Sequence, residues 1–153
     1  VLTFIKKNFN GEIKREELPL QWKNIIIRTY ASVGNKFENG EFKSGVKEIF
    51  NLIKQGNDFF DKNKPWILIN NNKKKCEEVL YICAQILVAL TDLMNPIIPF
   101  TCEKIKMFLG IKDTKWSFEE RKNIRVNRVE FLFDKIDKKA YIEELNILKN
   151  KKI

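Results

Sequence analysis

The sequence contains no histidine, and this absence excludes a large group of active sites. Ser-His-Asp triads, Cys-His pairs and HExxH metal sites all need an imidazole, so this chain cannot build any of them. The six glycines are scattered and form neither a GxGxxG nor a GxxxxGK[ST] phosphate-binding loop. We therefore predict no catalytic residue, no metal site and no bound cofactor in this chain.

Cysteines and long apolar runs are also scarce. The three cysteines, Cys76, Cys83 and Cys102, are odd in number and form no CxxC pair, which argues against a disulfide framework and against a zinc site. No apolar run approaches the roughly 18 residues that cross a bilayer, and no signal peptide is visible. We predict a cytoplasmic protein with no membrane partner, whose cysteines are small core residues.

Positive charge, by contrast, is in excess. The chain has 29 Lys and Arg against 20 Asp and Glu, a formal net charge of +9. Such a balance is typical of proteins that bind nucleic acid or another anionic partner. Lys and Asn are abundant throughout, however, and an A/T-rich genome would give the same bias. Composition alone leaves both interpretations open.

Apolar residues recur at helical spacing in three long segments, as one buried stripe of a helix requires. The first segment contains Trp22, Ile26, Tyr30, Val33 and Phe37. The second contains Phe42, Val46, Ile49, Phe50, Ile53 and Phe60, with Asn57 on the same stripe, where a buried amide needs hydrogen-bond partners. The third runs from Cys76 to Met94 and is apolar on more than one face, which predicts a central helix.

Shorter segments complete the predicted bundle. Residues 1–9 have helical spacing without a preceding cap, so we expect the chain to begin inside a helix and to be part of a longer protein. Pro96 and Pro99 end the third helix, and Thr101 is expected to cap a short helix from 102 to 109 that ends at Gly110. The fold predicted for residues 1–112 is an all-α antiparallel bundle of four to five helices.

Beyond residue 112 the pattern changes, and we interpret residues 113–153 as a C-terminal extension that packs on the bundle or on another domain. Its stretch "RVNRVEFLFDKID" has a strand-like or extended centre, and residues 141–153 predict a short basic helix. Glu119 and Glu120 are predicted to be surface charges. The run "NNNKKK" at residues 70–75 is expected to be a solvated loop before the third helix.

Residues 57–66 read "NDFFDKNKPW" and predict a break in the second helix. Proline disfavours a helical conformation of the residue before it, so Lys64 is expected to be extended and the helix to stop there. Trp66 then follows on a loop fixed by Pro65. The indole either fills a corner of the core or is displayed to a flat ligand, and the residues themselves leave both possibilities open.

The same stretch resembles the anticodon-binding helical domain of methionyl-tRNA synthetases. The matching residues are Asn57, Phe59, Phe60, Asp61, Lys64, Pro65 and Trp66. The stretch "MNPIIPFTCEKIKMFLG" is similar to a second signature of this domain, and "VEFLFDKID" to the segment that closes the family's shared architecture. The two-proline signature also occurs in related synthetases for isoleucine, valine and leucine, whereas the stretch ending in "KPW" is more specific.

The resemblance implies that Trp66 stacks on a base of the CAU anticodon of tRNA(Met). It implies anticodon binding by Lys62, Asn63 and Lys64 next to the indole. A structural role is implied for Asn57, Pro65, Pro96 and Pro99. Base stacking on an aromatic ring is how many proteins read unstacked RNA bases, so the implied role agrees with the chemistry of the residues.

The resemblance also implies what this chain lacks. The family reads its anticodon partly with an asparagine and an arginine that are expected just before Val1, and its HIGH and KMSKS motifs, which serve ATP and methionine, are not present here. We expect a monomeric fragment that is inactive alone and whose partners are tRNA(Met) and a catalytic domain of the same polypeptide, which would use ATP and magnesium. The alternatives are an isoleucyl-, valyl- or leucyl-tRNA synthetase domain, or a purely structural helical interaction domain.

Overall fold

The computed structural model describes residues 1–112, 115–133 and 138–150. Helices dominate, and the all-α prediction is confirmed. The helices are α1 (Leu2–Asn8), α2 (Leu20–Glu38), α3 (Phe42–Asn63), α4 (Pro65–Asn71), α5 (Lys73–Leu93), α6 (Pro99–Leu109) and α7 (Lys138–Asn150); the strands are β1 (Glu12–Lys14) and β2 (Asn123–Arg125). Among the described helices, none has the length and apolar content that a membrane span requires.

Helices α2 and α3 form a hairpin around a tight turn at Gly40, whose φ of 75° is a left-handed conformation that favours glycine. The stripe predicted for α2 is confirmed, since its first four residues, from Trp22 to Val33, are buried. The stripe predicted for α3 is partly wrong. Ile49 and Leu52 are buried, but Phe42 and Phe50 are 63% and 57% exposed because α3 packs on α2 and α5 along a different side.

Asn57 also lies outside the core of the bundle. Its side chain is exposed, so water can satisfy its amide, and the predicted internal hydrogen bonds are not needed. The prediction that Asn57 ties α3 to another element is therefore wrong. Hydrophobic spacing alone places Asn57 on the buried stripe of α3, but the stripe that is actually buried is narrower than the run of apolar residues suggests.

Helix α5 is the central helix that the sequence predicts, with 14 buried residues along 21 positions. It contacts α2, α3, α4 and α6. The predicted loop at residues 70–75 is wrong, because α4 continues to Asn71 and only Asn72 separates it from α5. The side-chain oxygen of Asn72 accepts a hydrogen bond from the backbone N–H of Lys75 at 3.0 Å and so caps α5.

The start of α6 also differs from the prediction, whereas its end does not. The helix begins at Pro99, since proline has no N–H to lose in the first turn and its fixed φ suits that position. Thr101 consequently lies inside the first turn and makes no capping bond. Gly110 ends the helix in a left-handed conformation with φ 62°, as expected.

Residues after Gly110 return to the beginning of the chain. Strand β2 pairs antiparallel with β1, which places Ile124 opposite Ile13 in the core. The extended stretch predicted at residues 125–137 overlaps β2 only at Arg125, so its apolar centre is not part of the strand, and Phe131 and Phe133 are exposed. Residues 134–137 of that stretch, and 151–153 of the predicted C-terminal helix, lie outside the described part. Helix α7 confirms the rest of that helix, and the division at residue 112 stays an interpretation.

Two adjacent carboxylates of this segment have different environments. Glu119 is exposed and pairs with Lys115 at 2.7 Å, as a surface charge does. Glu120 is largely buried, and its Oε1 accepts hydrogen bonds from the Leu18 N–H and from the Tyr81 hydroxyl, the latter at 2.9 Å. The prediction of a surface charge is therefore wrong for Glu120. Successive residues of an extended segment point to opposite sides, which is why only one of the two faces the bundle.

Candidate nucleic-acid interface

The break that the sequence predicts before Trp66 exists, but its geometry differs from the prediction. Helix α3 ends at Asn63, and Pro65 is already the first residue of α4. Lys64 alone connects them, with φ 47° and ψ 62°, so it is left-handed rather than extended. Trp66 therefore lies in the first turn of a short helix and not on a loop. Proline not only interrupts a helix but also readily begins one, because its missing N–H and fixed φ suit the first turn.

The backbone beneath the indole is fixed, whereas the ring is partly open to solvent. Pro65 is buried, and its carbonyl oxygen accepts a hydrogen bond from the Cys76 thiol on α5 at 3.4 Å. The indole of Trp66 lies against Phe60 of α3, with ring centroids 5.9 Å apart at an angle of 53°. Yet 46% of Trp66 remains exposed. The first turn of α4 thus holds one side of the ring and leaves a large aromatic surface accessible.

An open groove of about 350 Å³ runs beside the exposed indole, between α1 and α4. Its walls combine apolar and polar groups: Val1, Thr3, Phe4, Lys7, Asn8, Phe60, Trp66 and Ile69. The Asn8 amide nitrogen donates to the Phe4 carbonyl at 3.0 Å, which leaves the side-chain oxygen of Asn8 as an acceptor. We call this the α1/α4 groove. It offers a flat aromatic wall, an apolar floor and polar groups at the rim.

Other lysines lie near the two ends of the short helix. Lys62 and Lys64 are exposed at the end of α3, immediately before the indole. Lys73 begins α5, and its Nζ lies 5.5 Å from the centre of the Phe9 ring, a cation–π contact next to the end of α1. Exposed lysines therefore precede and follow α4 along the chain, an arrangement that suits a ligand with both flat and anionic parts.

The remaining predicted site residues are not all equally available. Asn63 donates its amide to the Phe59 carbonyl at 2.8 Å within α3, so one of its donors is occupied. Asn57 lies at a separate, smaller cleft of about 220 Å³ that it shares with Phe60 and Gly56. Pro96 lies in the turn after α5, and Pro99 starts α6. Lys62, Lys64 and Trp66 thus lie at the junction of α3 and α4, whereas Pro96 lies in the α5–α6 connection and Pro99 starts α6.

Sequence reasoning missed the wall that α1 supplies. The spacing of Leu2, Ile5 and Phe9 predicts α1 itself, and Ile5 is fully buried as that spacing requires. The sequence has no signal, however, that tells which element α1 faces. The polar residues Thr3 and Lys7 therefore enter the site only through the tertiary arrangement.

The described ranges contain neither a metal centre nor a reactive thiol. No group of three or more Cys, Asp or Glu side chains there is arranged to hold a metal ion. The three cysteines are buried free thiols, as predicted, and burial raises the pKa of Cys83 to about 12. A thiol with so high a pKa is a poor nucleophile at neutral pH.

One further buried polar pair is structural. The Tyr30 hydroxyl donates to Asp92 at 2.8 Å in the core between α2 and α5. Burial raises the pKa of Asp92 above its usual value, and the Tyr30 hydrogen bond opposes that shift. The pair joins two central helices, and a buried polar group that is hydrogen-bonded in this way needs no functional explanation.

Comparisons with known proteins agree with this arrangement. The family model for the anticodon binding domain of methionyl tRNA ligase matches residues 12–143. The methionine–tRNA ligase of Streptococcus pneumoniae (strain CGSP14) is 36% identical over 144 residues, which is 94% of this chain and 26% of that protein. Methionine–tRNA ligase 1 of Alkaliphilus oremlandii (strain OhILAs) is 31% identical over 93% of this chain and 26% of its own length.

A solved structure shows the same fold. The apo form of Mycobacterium tuberculosis methionyl-tRNA synthetase superposes with a TM-score of 0.76 and 17% identity, over 89% of this chain and 30% of that chain. The chain spans about a quarter of the length of the curated relatives that it matches. The matched family is the methionyl one, and not that of the isoleucyl-, valyl- or leucyl-tRNA synthetases considered as alternatives. The chain belongs to the family of anticodon-binding domains of methionyl-tRNA ligases.

Proposed function

We propose that this domain binds the CAU anticodon loop of tRNA(Met) and that Trp66 stacks on one of its unstacked bases. The observation that carries the proposal is the half-exposed indole beside the open α1/α4 groove. Proteins that read RNA sequence usually target bases in single-stranded loops, by aromatic stacking and by contacts to the base edges. The groove offers a stacking surface in Trp66 and edge partners in Thr3 and Asn8.

The charge around the groove supports the same proposal. Lys7 lies in the groove, and Lys62 and Lys64 are exposed before the indole, where phosphates on either side of a stacked base would pass. Lysine binds phosphate as a point charge and adds affinity without reading sequence. We therefore assign base recognition to Trp66 and the groove, and phosphate neutralisation to the three lysines.

We assign to this domain the recognition step of a methionine–tRNA ligase. The relatives are named as such ligases, and this chain matches about a quarter of their length. The ligation of methionine to tRNA, with the ATP and magnesium it requires, belongs in this proposal to the parts of the enzyme that lie outside the match. The isolated domain is expected to bind tRNA(Met) without charging it.

The proposal is tested with labelled anticodon stem–loops and fluorescence anisotropy at fixed salt. One RNA carries CAU and the other a changed anticodon. Stacking of a base on an aromatic ring contributes about 1–3 kcal/mol, so Trp66→Ala is expected to weaken CAU binding by about 5- to 150-fold. Trp66→Phe, which keeps an aromatic face, is expected to lose less. Trp116 is a matched control, because it is 44% exposed but lies elsewhere, against Gly34 of α2.

Two results would contradict the proposal. Equal affinity of the intact domain for both loops would reject specific reading of the anticodon. A Trp66→Ala variant that binds CAU as well as the intact protein but unfolds more easily would favour the second candidate, a purely structural role. The observation in favour of that candidate is the packing of Trp66 on Phe60, at a centroid distance of 5.9 Å.

Salt dependence separates the lysines from the indole. Each phosphate contact to a single strand contributes about 0.7 to the slope of log affinity against log salt. Lys7→Gln and Lys62→Gln are therefore each expected to reduce that slope and to lower the affinity for both RNAs by the same factor. Trp66→Ala is expected to leave the slope unchanged.

A further inference from the structure

Lys64 is the single residue between α3 and α4, as Asn72 is between α4 and α5. Its N–H donates to the Phe60 carbonyl at 3.1 Å and so closes the last turn of α3. Its carbonyl accepts from the N–H groups of Ile67 and Leu68, at 2.8 and 3.1 Å, and so opens α4. The direction of α4 relative to α3 consequently depends on the two backbone angles of one residue.

Those angles are unfavourable for lysine. With φ 47° and ψ 62°, Lys64 is one of two non-glycine residues of positive φ in the described ranges. A side chain with a Cβ is strained in this left-handed region, and only glycine, asparagine and aspartate visit it readily. Strain of this kind persists where the surroundings over-determine the conformation, and it concentrates at functional sites.

The surroundings of Lys64 meet that condition. Pro65 is buried on one side of it, with its carbonyl held by the buried Cys76 thiol at 3.4 Å. On the other side, Phe60 of the last α3 turn touches the indole of Trp66 across the bend. The contact between Phe60 and Trp66 therefore forms only if Lys64 turns the chain as observed.

We propose that the left-handed backbone of Lys64 is a positioning device that presents the Trp66 indole to the α1/α4 groove, independently of the charge of Lys64. Its consequence for RNA binding rests on the proposed function, whereas its consequence for the indole does not. Lys64 thus has two separable contributions: the backbone angle orients the aromatic ring, and the ammonium group faces solvent.

Neutral variants separate the backbone from the charge. Lys64→Gln and Lys64→Gly both remove the ammonium group, but only glycine adopts the left-handed region without strain. Lys64→Gly is therefore expected to melt about 2–4 °C higher than Lys64→Gln. The melting temperature of Lys64→Asn is expected to lie between those of the glycine and glutamine variants. Asn10→Gly, at the other residue of positive φ (52°), is a control that relieves the same kind of backbone strain outside the α3–α4 junction.

The orientation of the indole is read directly by fluorine NMR of protein labelled with 5-fluorotryptophan, which gives one signal for each of the three tryptophans. Lys64→Gly and Lys64→Asn are expected to keep the Trp66 signal in place. Lys64→Val, whose branched side chain opposes the left-handed region, is expected to shift or broaden that signal alone. Should the valine variant fail to fold, the glycine, asparagine and glutamine variants still decide the order of stability.

RNA binding provides the functional comparison. Lys64→Gln and Lys64→Gly are expected to bind the CAU stem–loop within about twofold of each other. Lys64→Val is expected to lose as much affinity for the CAU stem–loop as Trp66→Ala does, about 5- to 150-fold. The double variant with both changes is expected to bind no more weakly than Trp66→Ala alone. A valine variant with an unmoved Trp66 signal and a melting temperature equal to that of Lys64→Gln would overturn the inference. Absence of CAU binding by the unaltered domain would instead reject the proposed function, with the NMR and melting results still deciding the role of Lys64.

Discussion

Replacing Glu120 with alanine should destabilise this domain far more than the same change at its neighbour Glu119. Glu120 is held between the start of α2 and the central helix, whereas the side chain of Glu119 is 67% exposed and pairs with Lys115 at the surface. The two residues have the same chemistry and adjacent positions in the chain. Their comparison therefore isolates the effect of burial and hydrogen bonding.

The size of the effect follows from the partners of Glu120. Its Oε1 accepts two bonds, from the Leu18 N–H and from the Tyr81 hydroxyl, and its Oε2 lies 3.4 Å from the Lys23 ammonium. Alanine leaves both donors without an acceptor, at about 1–3 kcal/mol each, so the expected loss is about 2–6 kcal/mol. The partly exposed Lys23 pair adds less than about 1 kcal/mol. The free energy of unfolding of a globular domain is about 5–15 kcal/mol in total, so a loss of this size is severe.

Urea unfolding followed by circular dichroism measures this difference. Glu120→Gln keeps an acceptor oxygen for both donors but loses the charge and the oxygen that pairs with Lys23, so its urea midpoint should lie between those of the unaltered protein and Glu120→Ala. Glu119→Ala should leave the midpoint unchanged within experimental error. If the two alanine variants unfolded at the same urea concentration with the same slope, the buried role of Glu120 would be refuted.

Three other outcomes are expected. Gly45→Ala should destabilise the α2–α3 hairpin by about 1–2 kcal/mol in urea unfolding, because the added methyl group would lie 2.6 Å from Cδ1 of Phe37, and this overlap outweighs the gain in helix propensity. Burial raises the pKa of Asp92, so the folded state binds the extra proton, and stability from this group rises as pH falls from neutral towards 3.8. Asp92→Asn keeps an acceptor for Tyr30 but does not titrate. The free energy of unfolding of the unaltered protein should therefore rise relative to that of Asp92→Asn as the pH is lowered across this range. Ellman's reagent at pH 8 should label Cys83 and the other two thiols only when urea unfolds the chain, since all three are buried.

The long helices could be predicted from the sequence because their apolar residues repeat over many turns. Helix α5, apolar on several faces, and the stripe of α2 are such cases, and each buries most of the residues that its spacing indicates. The exposed rings of Phe42 and Phe50 show the limit of this reasoning. Spacing tells which residues share a face, but only the packing of neighbours tells which face is covered.

Short elements and long-range contacts could not be predicted in the same way. Strands β1 and β2 have three residues each, too few for an alternating pattern to stand out. The site shows the same division. The residues around Pro65 and Trp66 form a local motif that sequence reveals, whereas the position of Lys7 depends on how α1 packs, and the left-handed angle of Lys64 depends on the buried proline that follows it.

The β1–β2 pairing has a consequence for how the protein is made, because it joins Glu12 to Arg125, which are 113 positions apart. During synthesis from the amino end, β1 leaves the ribosome long before its partner exists. The helical hairpins have local contacts and can form at once, while the ladder waits for closure of a very long loop. Ile13 therefore stays without its strand partner until translation has passed residue 125, and a nascent chain arrested before that point would expose one edge of its core to chaperones.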